Sequence, residues 1–290
     1  MANPSVTFSR VKKINPENIS DAEDLLATEE PLEIRLSYGP LNDRHQKSIS
    51  VTMRTPGNDF ELALGFLFSE GIIRDQKDVL QIKYCTDFSR SENIVKVELM
   101  TGLDVDLKKL ERHFYTSSSC GVCGKASIEA LNTISKFKDN GSEFTIDQEV
   151  FMDLSEKLRA KQNVFEYTGG LHAAALFNTD GEIIFIREDV GRHNALDKLI
   201  GAAFSSGQLP LNRHVVLLSG RSSFELIQKC VMAGVNLVAA IGAPSSLAVE
   251  TAKKFNVTLI GFLRDNRFNI YSGEERINMT RKKSASLAGI

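Results

Sequence analysis

Residues 215–262 are VVLLSGRSSFELIQKCVMAGVNLVAAIGAPSSLAVETAKKFNVTLIGF, and this stretch decides the fold. It holds three short, almost wholly apolar runs, 215–218, 237–241 and 257–262, separated by two segments with helical periodicity. Apolar strands that alternate with helices are typical of a parallel sheet covered on both faces. We therefore predict an α/β architecture for this part of the chain. The two helices are predicted at 224–233 and 247–255.

The segment before this stretch predicts a hairpin. Apolar runs at 171–177 and 182–186 flank Asn178-Thr179-Asp180-Gly181, a strong turn signal because Asp-Gly tolerates positive φ. Further helices are predicted at 148–161 and 194–206. Added to the parallel strands, the hairpin predicts a mixed sheet with helices on both faces. We assign this sheet to a C-terminal domain at residues 126–290.

The first part of the chain predicts a smaller α+β domain at residues 31–125. Its strands are predicted around 32–36, 49–53, 79–85 and 94–99. A helix is predicted from Asn58, which can cap it, to Gly71, with Glu61 at the capping-box position. Residues 1–30 are polar, mixed in charge and weakly periodic, so we expect them to be loosely ordered.

The composition is that of an ordinary soluble globular protein. The chain has 290 residues, of which 42% are hydrophobic and 25% charged, and its net charge is −2. No global basic field attracts nucleic acid or an acidic membrane surface, and no run approaches the ~20 apolar residues that span a bilayer. Four cysteines are too few for a disulfide scaffold. We expect a cytoplasmic protein with neither nucleic acid nor membrane as a partner.

The most reactive segment contains Cys120 and Cys123, spaced Cys-Gly-Val-Cys behind three serines. Small polar residues and glycines indicate a loop, and the nearby Lys125 favours the reactive thiolate form. The pair could belong to a mobile carrier, a dithiol oxidoreductase or a zinc-ligating protein, although a second ligand pair for zinc is missing. Incidental surface cysteines are the remaining interpretation. Cys85 and Cys230 lie in predicted core elements and are expected to be buried.

Seven motifs follow one another in a fixed order within residues 31–272. They are MRTPG at 53–57, ELALGFLFSEG at 61–71, SCGVCGK at 119–125, TGGLHAA at 168–174, EDVGRHNALDK at 188–198, SGRSS at 219–223 and GFLR at 261–264. This ordered set resembles the formate dehydrogenase accessory sulfurtransferase family, FdhD. Any single motif would be weak, but the combination is highly specific.

The resemblance implies a sulfur carrier. Members of this family accept persulfide sulfur from a cysteine desulfurase and transfer it to the molybdenum cofactor, in its bis-molybdopterin guanine dinucleotide form, for formate dehydrogenase. By motif position, Cys120 would bear the persulfide and Cys123 would be a helper or resolving thiol. The cofactor would be a bound substrate, with no permanent metal, and the protein is expected to form a homodimer.

The resemblance also implies a cytidine-deaminase-like fold for residues 126–290. The zinc signature of active deaminases is missing, so deamination is not expected. The family's cofactor-binding stretch falls on Phe262, Leu263, Arg264, Asp265, Asn266 and Arg267.

Loops after the apolar strands also predict an anion site. Ser219, Gly220, Arg221 and Ser222 follow one strand and open a helix, so that backbone N–H groups and a positive helix end would point at an anion. Residues 242–246 repeat this arrangement, and ligands of open α/β sheets collect beyond the carboxyl ends of such strands. Ordinary capping by serine is the alternative.

Two more segments supply polar candidates. Asp189 and Arg192 lie in residues 188–194, which either contact the cofactor or form an internal salt-bridge network. His172 follows two glycines in an apolar run, so it is either a core histidine or a residue of the cofactor site.

Overall fold

A computed structural model describes residues 4–85, 93–103 and 144–279. The strands of these residues are β1 Val6–Asn15, β2 Asn18–Ala27, β3 Glu30–Tyr38, β4 His45–Arg54, β5 Val79–Tyr84, β6 Ile94–Leu99, β7 Ile146–Asp147, β8 His172–Phe177, β9 Ile183–Asp189, β10 Val215–Leu218, β11 Leu237–Ala240, β12 Thr258–Arg264, β13 Arg267–Ser272 and β14 Ile277–Asn278. Their α-helices are α1 Asp59–Ser69, α2 Gln148–Met152, α3 Leu154–Lys161, α4 Asn163–Thr168, α5 Arg192–Ser205, α6 Phe224–Met232 and α7 Ser246–Lys254. None of these helices is long and apolar enough to cross a membrane.

The larger sheet has six strands in the order β13-β12-β11-β10-β8-β9. Strands β10, β11 and β12 are parallel, while the remaining neighbours are antiparallel. The predicted hairpin is present as β8 and β9, and Gly181 in its turn has a φ of 75°. The α/β class predicted from the apolar runs is therefore confirmed. The cytidine-deaminase-like assignment stays a prediction.

Helices cover both faces of this sheet. Successive strand residues point to opposite sides, so the strands supply side chains to a core on each face. On one side, Leu176 and Leu218 join a core that includes Leu199 of α5 and Ile227 of α6. On the other side, residues such as Phe177 pack with apolar side chains of α2 and α3. The helix predicted at 148–161 is divided in two at Asp153.

The smaller sheet has four strands in the order β4-β3-β6-β5, with β3 and β6 parallel. Its inner face, represented by Leu32, Leu36 and Val97, belongs to the same hydrophobic core as α5 and α6. The two predicted domains thus share one core across the described residues. The boundary predicted at 125/126 lies outside those residues and stays a prediction.

Helices α1 and α5 cross in direct backbone contact. A Cβ atom added at Gly65 would overlap the carbonyl oxygen of Asp197, and one added at Gly201 would overlap the carbonyl oxygen of Glu61. Glycine at both positions therefore lets the helices approach until their backbones touch. The Glu61 carboxylate accepts a hydrogen bond from Arg187 Nη2 at 2.7 Å. Glu61 therefore pairs with Arg187. The predicted side-chain cap by Asn58 is not formed, and Asn58 adopts a φ of 57°.

The N-terminus differs from its prediction. Strands β1 and β2 form an antiparallel hairpin, which we call the N-terminal ribbon, instead of a loosely ordered segment. Its turn is held by Asn15, whose Oδ1 accepts hydrogen bonds from the backbone N–H groups of Glu17 and Asn18. Apolar residues of the ribbon such as Phe8 are exposed, so the sequence has no buried stripe by which to recognise these strands.

Gly65→Ala should lower the free energy of unfolding by ~1–3 kcal/mol, the usual cost of overpacking. Alanine is the better helix former, so a loss of stability must come from the overlap with the Asp197 carbonyl group. Gly170→Ala is the control, because its added Cβ would meet its nearest neighbour, Ala27 Cβ, at an ordinary 3.7 Å. Chemical denaturation measures both variants, and equal stability of the two would contradict the helix contact.

Candidate functional site

The candidate site lies at one edge of the six-stranded sheet, which we call the carboxyl edge. Strands β10, β11 and β12 run parallel and end there. Strand β8 runs the other way, so its first residue, His172, lies at this edge opposite Asp189, the last residue of β9. The structure thus brings the predicted 219–223 loop, the end of β12 and both of these residues to one edge.

Three glycines let the loops of the carboxyl edge pack tightly. The N–H of Gly242 donates to the carbonyl of Gly220 at 3.0 Å, and the N–H of Phe262 donates to the carbonyl of Gly242 at 3.1 Å. A Cβ atom at Gly242 would lie 2.8 Å from the Arg221 nitrogen, and one at Gly261 would lie 2.9 Å from Pro244 Cδ. The three loops therefore form a continuous hydrogen-bonded layer that side chains larger than glycine would separate.

Within the 219–223 loop, the serines hold the backbone and the arginine faces solvent. Ser219 Oγ accepts a hydrogen bond from the N–H of Ala173 at 2.8 Å, so this hydroxyl ties the loop to β8. Ser222 is buried, and its N–H donates to the carbonyl of Ala243 at 3.2 Å. Arg221 is exposed. Arg221 is therefore the side chain of this loop most open to a ligand, and the buried Ser222 Oγ has no hydrogen-bond partner among the described residues.

The two helix starts at this edge differ in capping. Ser245 Oγ accepts a hydrogen bond from the N–H of Ala248 at 3.2 Å, so the start of α7 has the serine cap proposed as the alternative. Ser223, at the start of α6, makes no such bond to the helix backbone. The first N–H groups of a helix need partners from outside it. The first turn of α6 already carries the Glu225 carboxylate, which accepts the backbone N–H of Glu225 and whose negative charge opposes an anion, so neither helix start is favoured as an anion site.

The predicted cofactor-binding stretch forms the end of β12 and a tight turn. Asp265 and Asn266 have φ values of 53° and 55°, and they join Arg264 to its partner Arg267. Positive φ at both central residues is typical of a type I′ hairpin turn. The side chains of these four residues are exposed, and Phe262 is half-buried. Leu263 is 1% exposed, so its side chain belongs to the core and only its backbone could contact a ligand.

Two histidines and an arginine lie near the 219–223 loop. A Cβ atom at Gly220 would lie 3.3 Å from His172 Nδ1, so the imidazole packs against this loop. Partial burial and the neighbouring Arg192 lower the pKa of His172, against the opposing effect of Asp189. Burial, Arg192 and Lys229 lower the pKa of His193 to about 4. Both imidazoles are therefore neutral at pH 7, while Arg192 is exposed and charged.

Sequence reasoning named Arg192 but missed His193. Its Nε2 atom is buried, and it has no hydrogen-bond partner in the part of the chain that the structure describes. A buried polar atom without a partner costs free energy, so this position calls for a ligand or a water. The only sequence signal was its place inside the 188–194 segment.

Asp189 is a correction to the predicted site. Its side chain is fully buried, and Oδ2 lies 2.7 Å from Lys198 Nζ while accepting a hydrogen bond from the N–H of Thr55 at 3.1 Å. Oδ1 accepts from the N–H of Gly191 at 2.8 Å and from Asn194 Nδ2 at 3.0 Å. With both oxygens occupied and no exposure, Asp189 positions its neighbours instead of touching a ligand.

The contacts around Asp189 are those of the internal network considered for residues 188–194. Lys198 Nζ also donates to the carbonyl of Thr55 at 2.8 Å, and Asn194 Nδ2 donates to the carbonyl of Met53 at 2.7 Å. The Glu188 carboxylate accepts the N–H groups of Val164 and Phe165 at the start of α4. This network joins the MRTPG motif at 53–57 to the start of α5.

The two predicted catalytic residues, Cys120 and Cys123, lie outside the described residues. Cys85 and Cys230 are buried, as predicted. Burial raises the pKa of Cys230 to about 12, so this thiol is unreactive at neutral pH. In residues 4–85, 93–103 and 144–279, no group of three or more His, Cys, Asp or Glu side chains is placed to hold a metal ion.

The exposed cations of the carboxyl edge suit a long anionic ligand. Neighbouring strands lie ~4.8 Å apart, so the ends of β10 and β12 are separated by ~10 Å, and those of β10 and β9 by a similar distance. Arg192, Arg221 and Arg264 follow or end these three strands. The edge can therefore offer cations to several phosphate groups at once.

The fold and this edge define an α/β protein with a row of exposed arginines at one edge of its larger sheet. The chain belongs to the FdhD/NarQ family, whose model matches residues 27–278. The family resemblance inferred from the ordered motifs is thereby confirmed.

Named relatives agree with this assignment, and a solved structure agrees with the fold. The sulfur carrier protein FdhD of Streptomyces coelicolor is 49% identical over 273 residues, which cover 92% of this chain and 94% of the relative. That of Streptomyces avermitilis is 50% identical with the same coverage. The crystal structure of a candidate formate dehydrogenase accessory protein from Desulfotalea psychrophila covers 95% of this chain and all of its own, with a TM-score of 0.71. At 22% identity it supports the fold alone.

His193→Gln should flatten the dependence of stability on pH. The pKa of His193 is about 4 in the folded protein against an ordinary 6.5, so between these values the unfolded chain binds a proton that the folded chain does not. Stability therefore falls as the pH drops from 6.5 to 4, by ~1.4 kcal/mol per pH unit for one such group. Denaturation at several pH values should show a slope smaller by about that amount in the variant.

The control is Asn42→Gln, which changes an exposed residue that has no titratable group. It should retain the slope of the unmodified protein. A His193→Gln protein with an unchanged slope would show that this imidazole is protonated in the folded state as readily as in the unfolded one.

Proposed function

We propose that this protein is a sulfur carrier for a molybdenum-dependent formate dehydrogenase. It takes sulfur from a cysteine desulfurase onto Cys120 and delivers it to Mo-bis(molybdopterin guanine dinucleotide), which is its bound substrate. The observation that carries the proposal is the 49–50% identity to proteins named sulfur carrier protein FdhD, over 92% of the chain. The carboxyl edge, with its exposed arginines, supplies a site of suitable chemistry for the anionic substrate.

Sulfur acceptance is a thiol exchange that needs no outside oxidant. The Cys120 thiolate attacks the outer sulfur of the desulfurase persulfide. A new S–S bond forms on Cys120 as the old one breaks, and the desulfurase cysteine leaves as a thiolate. Cys120 then carries a persulfide whose outer sulfur can be passed on.

Release of the outer sulfur as sulfide requires two electrons. Formation of a disulfide between Cys120 and Cys123 supplies them. Its thiolate attacks the inner sulfur of the Cys120 persulfide, forms a disulfide with Cys120 and releases the outer sulfur as sulfide to the molybdenum centre. A cellular dithiol reductant then restores both thiols. This step gives Cys123 the role of resolving thiol.

Substrate recognition is assigned to the carboxyl edge. Arg192, Arg221, Arg264 and Arg267 are exposed there and match the phosphate groups of two guanine dinucleotides. The neutral His172 and His193 can donate or accept hydrogen bonds without adding charge.

The protein acts in the cytoplasm as a homodimer, where the desulfurase and the dehydrogenase are its protein partners. Residues 126–290 form a cytidine-deaminase-like domain without deaminase chemistry, because the zinc signature is missing from the sequence.

Incubation with a cysteine desulfurase and cysteine should add one reducible sulfur atom to the peptide that contains Cys120. Mass spectrometry of the digested protein measures this gain, which Cys120→Ala should abolish together with activation of the dehydrogenase. The peptide that contains Cys230 is an internal control, since that thiol is fully buried and should gain nothing.

Two other outcomes would replace the proposal with a different function. A loss of two hydrogens that links Cys120 to Cys123, without sulfur gain, would identify a dithiol oxidoreductase. Stoichiometric zinc that disappears in Cys120→Ala would identify a zinc-ligating, cofactor-binding chaperone.

The double variant Arg264→Gln/Arg267→Gln should weaken the binding of guanosine diphosphate, used as a probe for the nucleotide part of the substrate. Hydrogen bonds to charged groups contribute ~1.5–3 kcal/mol, so each lost phosphate contact should raise the Kd about tenfold or more. Isothermal titration calorimetry measures the change. Arg213→Gln is the control, because this exposed arginine precedes β10 at the opposite edge of the sheet. Equal affinity of the two variants would exclude the turn as a phosphate site.

A further inference from the structure

The N-terminal ribbon, β1 and β2, carries an outward face with a regular pattern of charge. In an antiparallel pair, directly opposed residues share a face and alternate residues along each strand return to it. The register therefore assigns one face the opposed pairs Val6/Ala27, Phe8/Leu25, Arg10/Glu23, Lys12/Asp21 and Ile14/Ile19. We call this the charged face of the ribbon.

The charged face is open to solvent along most of its length. Phe8 and Ile14 are each 73% exposed, and Ile19 is 66% exposed. The ribbon contacts the rest of the protein near its base, where β2 packs against α4 and Ala27 lies near Gly170. An isolated two-stranded hairpin is at best marginally stable in water. A ribbon of two ten-residue strands with large exposed apolar side chains is therefore expected to have a partner.

We propose that the charged face is the surface by which two copies of this chain associate, ribbon against ribbon, about a twofold axis parallel to the strands. This deepens the homodimer of the proposed function by naming its contact surface. The ribbon precedes nearly all of the segment that the family model matches, which begins at residue 27.

The charges of the face complement those of its own twofold copy. The cations Arg10 and Lys12 lie side by side on β1, and the anions Glu23 and Asp21 lie beside them on β2. Lys12 and Asp21 already form an exposed ion pair at 2.8 Å. A twofold axis along the ribbon exchanges left and right, so the cations of one copy would face the anions of the other.

The apolar residues obey the same symmetry. The same axis preserves height along the ribbon and exchanges its two strands, so Ile14 would meet Ile19 of the other chain, and Phe8 would meet Leu25 of the other chain. A twofold axis perpendicular to the strands would instead place cations of one copy against cations of the other. It would also place the tip of one ribbon against the base of the other. A surface that is complementary to itself under a single orientation is what an isologous interface requires. An unrelated partner would need no such pattern.

Two charge variants test the pairing. Arg10→Glu/Lys12→Glu makes the face wholly acidic, and Asp21→Lys/Glu23→Lys makes it wholly basic. Sedimentation equilibrium over a dilution series should give the unmodified protein twice the 32.1 kDa of a single chain. Each variant alone should dissociate with a Kd raised at least about tenfold, because like charges would then face each other. An equimolar mixture of the two should restore the dimeric mass.

The control is Lys13→Glu, which changes an exposed residue on the opposite face of the ribbon and should keep the dimeric mass. Far-UV circular dichroism should be unchanged in all variants, since the ribbon lies outside the shared core. A single-chain mass of the unmodified protein, dimers of unchanged affinity in both variants, or a mixture that stays dissociated would each overturn the proposal. Sulfur gain on Cys120 is measured separately, so failure of the ribbon contact leaves the carrier function standing.

Discussion

The contact between α1 and α5 is the constraint on which the described fold depends. Gly65 and Gly201 let the two helix backbones touch, so apolar side chains from both sheets reach one core. Next to this contact, the buried carboxylate of Asp189 is held by Lys198 and by the N–H of Thr55. A buried carboxylate is tolerated only when it is paired. The packing and this ion pair therefore fix the MRTPG segment at 53–57 against the start of α5.

That arrangement explains why residues 188–198 contain both buried and exposed charges. Asp189 and Lys198 satisfy each other inside, whereas Arg192, in the first turn of α5, faces solvent at the carboxyl edge. His193 follows Arg192 and stays neutral because burial disfavours its charged form. A single motif thus anchors the helix through one set of residues and presents a cation through another.

The sheet was predictable from the sequence, but the partners of its polar residues were not. Strands buried on both faces are continuous apolar runs, and 215–218, 237–241 and 257–262 have that pattern. Asp189 could have contacted either a ligand or another residue of the protein. Its partners include Thr55, which is 134 residues away in the chain, and sequence patterns do not reveal such long-range contacts. The N-terminal ribbon was missed for a related reason, since its apolar side chains face outward and leave no buried stripe.

The described residues supply groups that can hold an anionic substrate but no thiol that is accessible to sulfur. Cys85 and Cys230 are buried, and the pKa of about 12 keeps Cys230 protonated, so neither thiol is suited to receive sulfur. The carboxyl edge offers arginines and neutral imidazoles, which can hydrogen-bond an anion but cannot carry sulfane sulfur. Thiol exchange requires an accessible thiolate and a correctly placed acceptor. In the proposed function, the edge therefore only has to hold the substrate, and the sulfur has to arrive on another part of the chain, for which we propose the segment of Cys120 and Cys123.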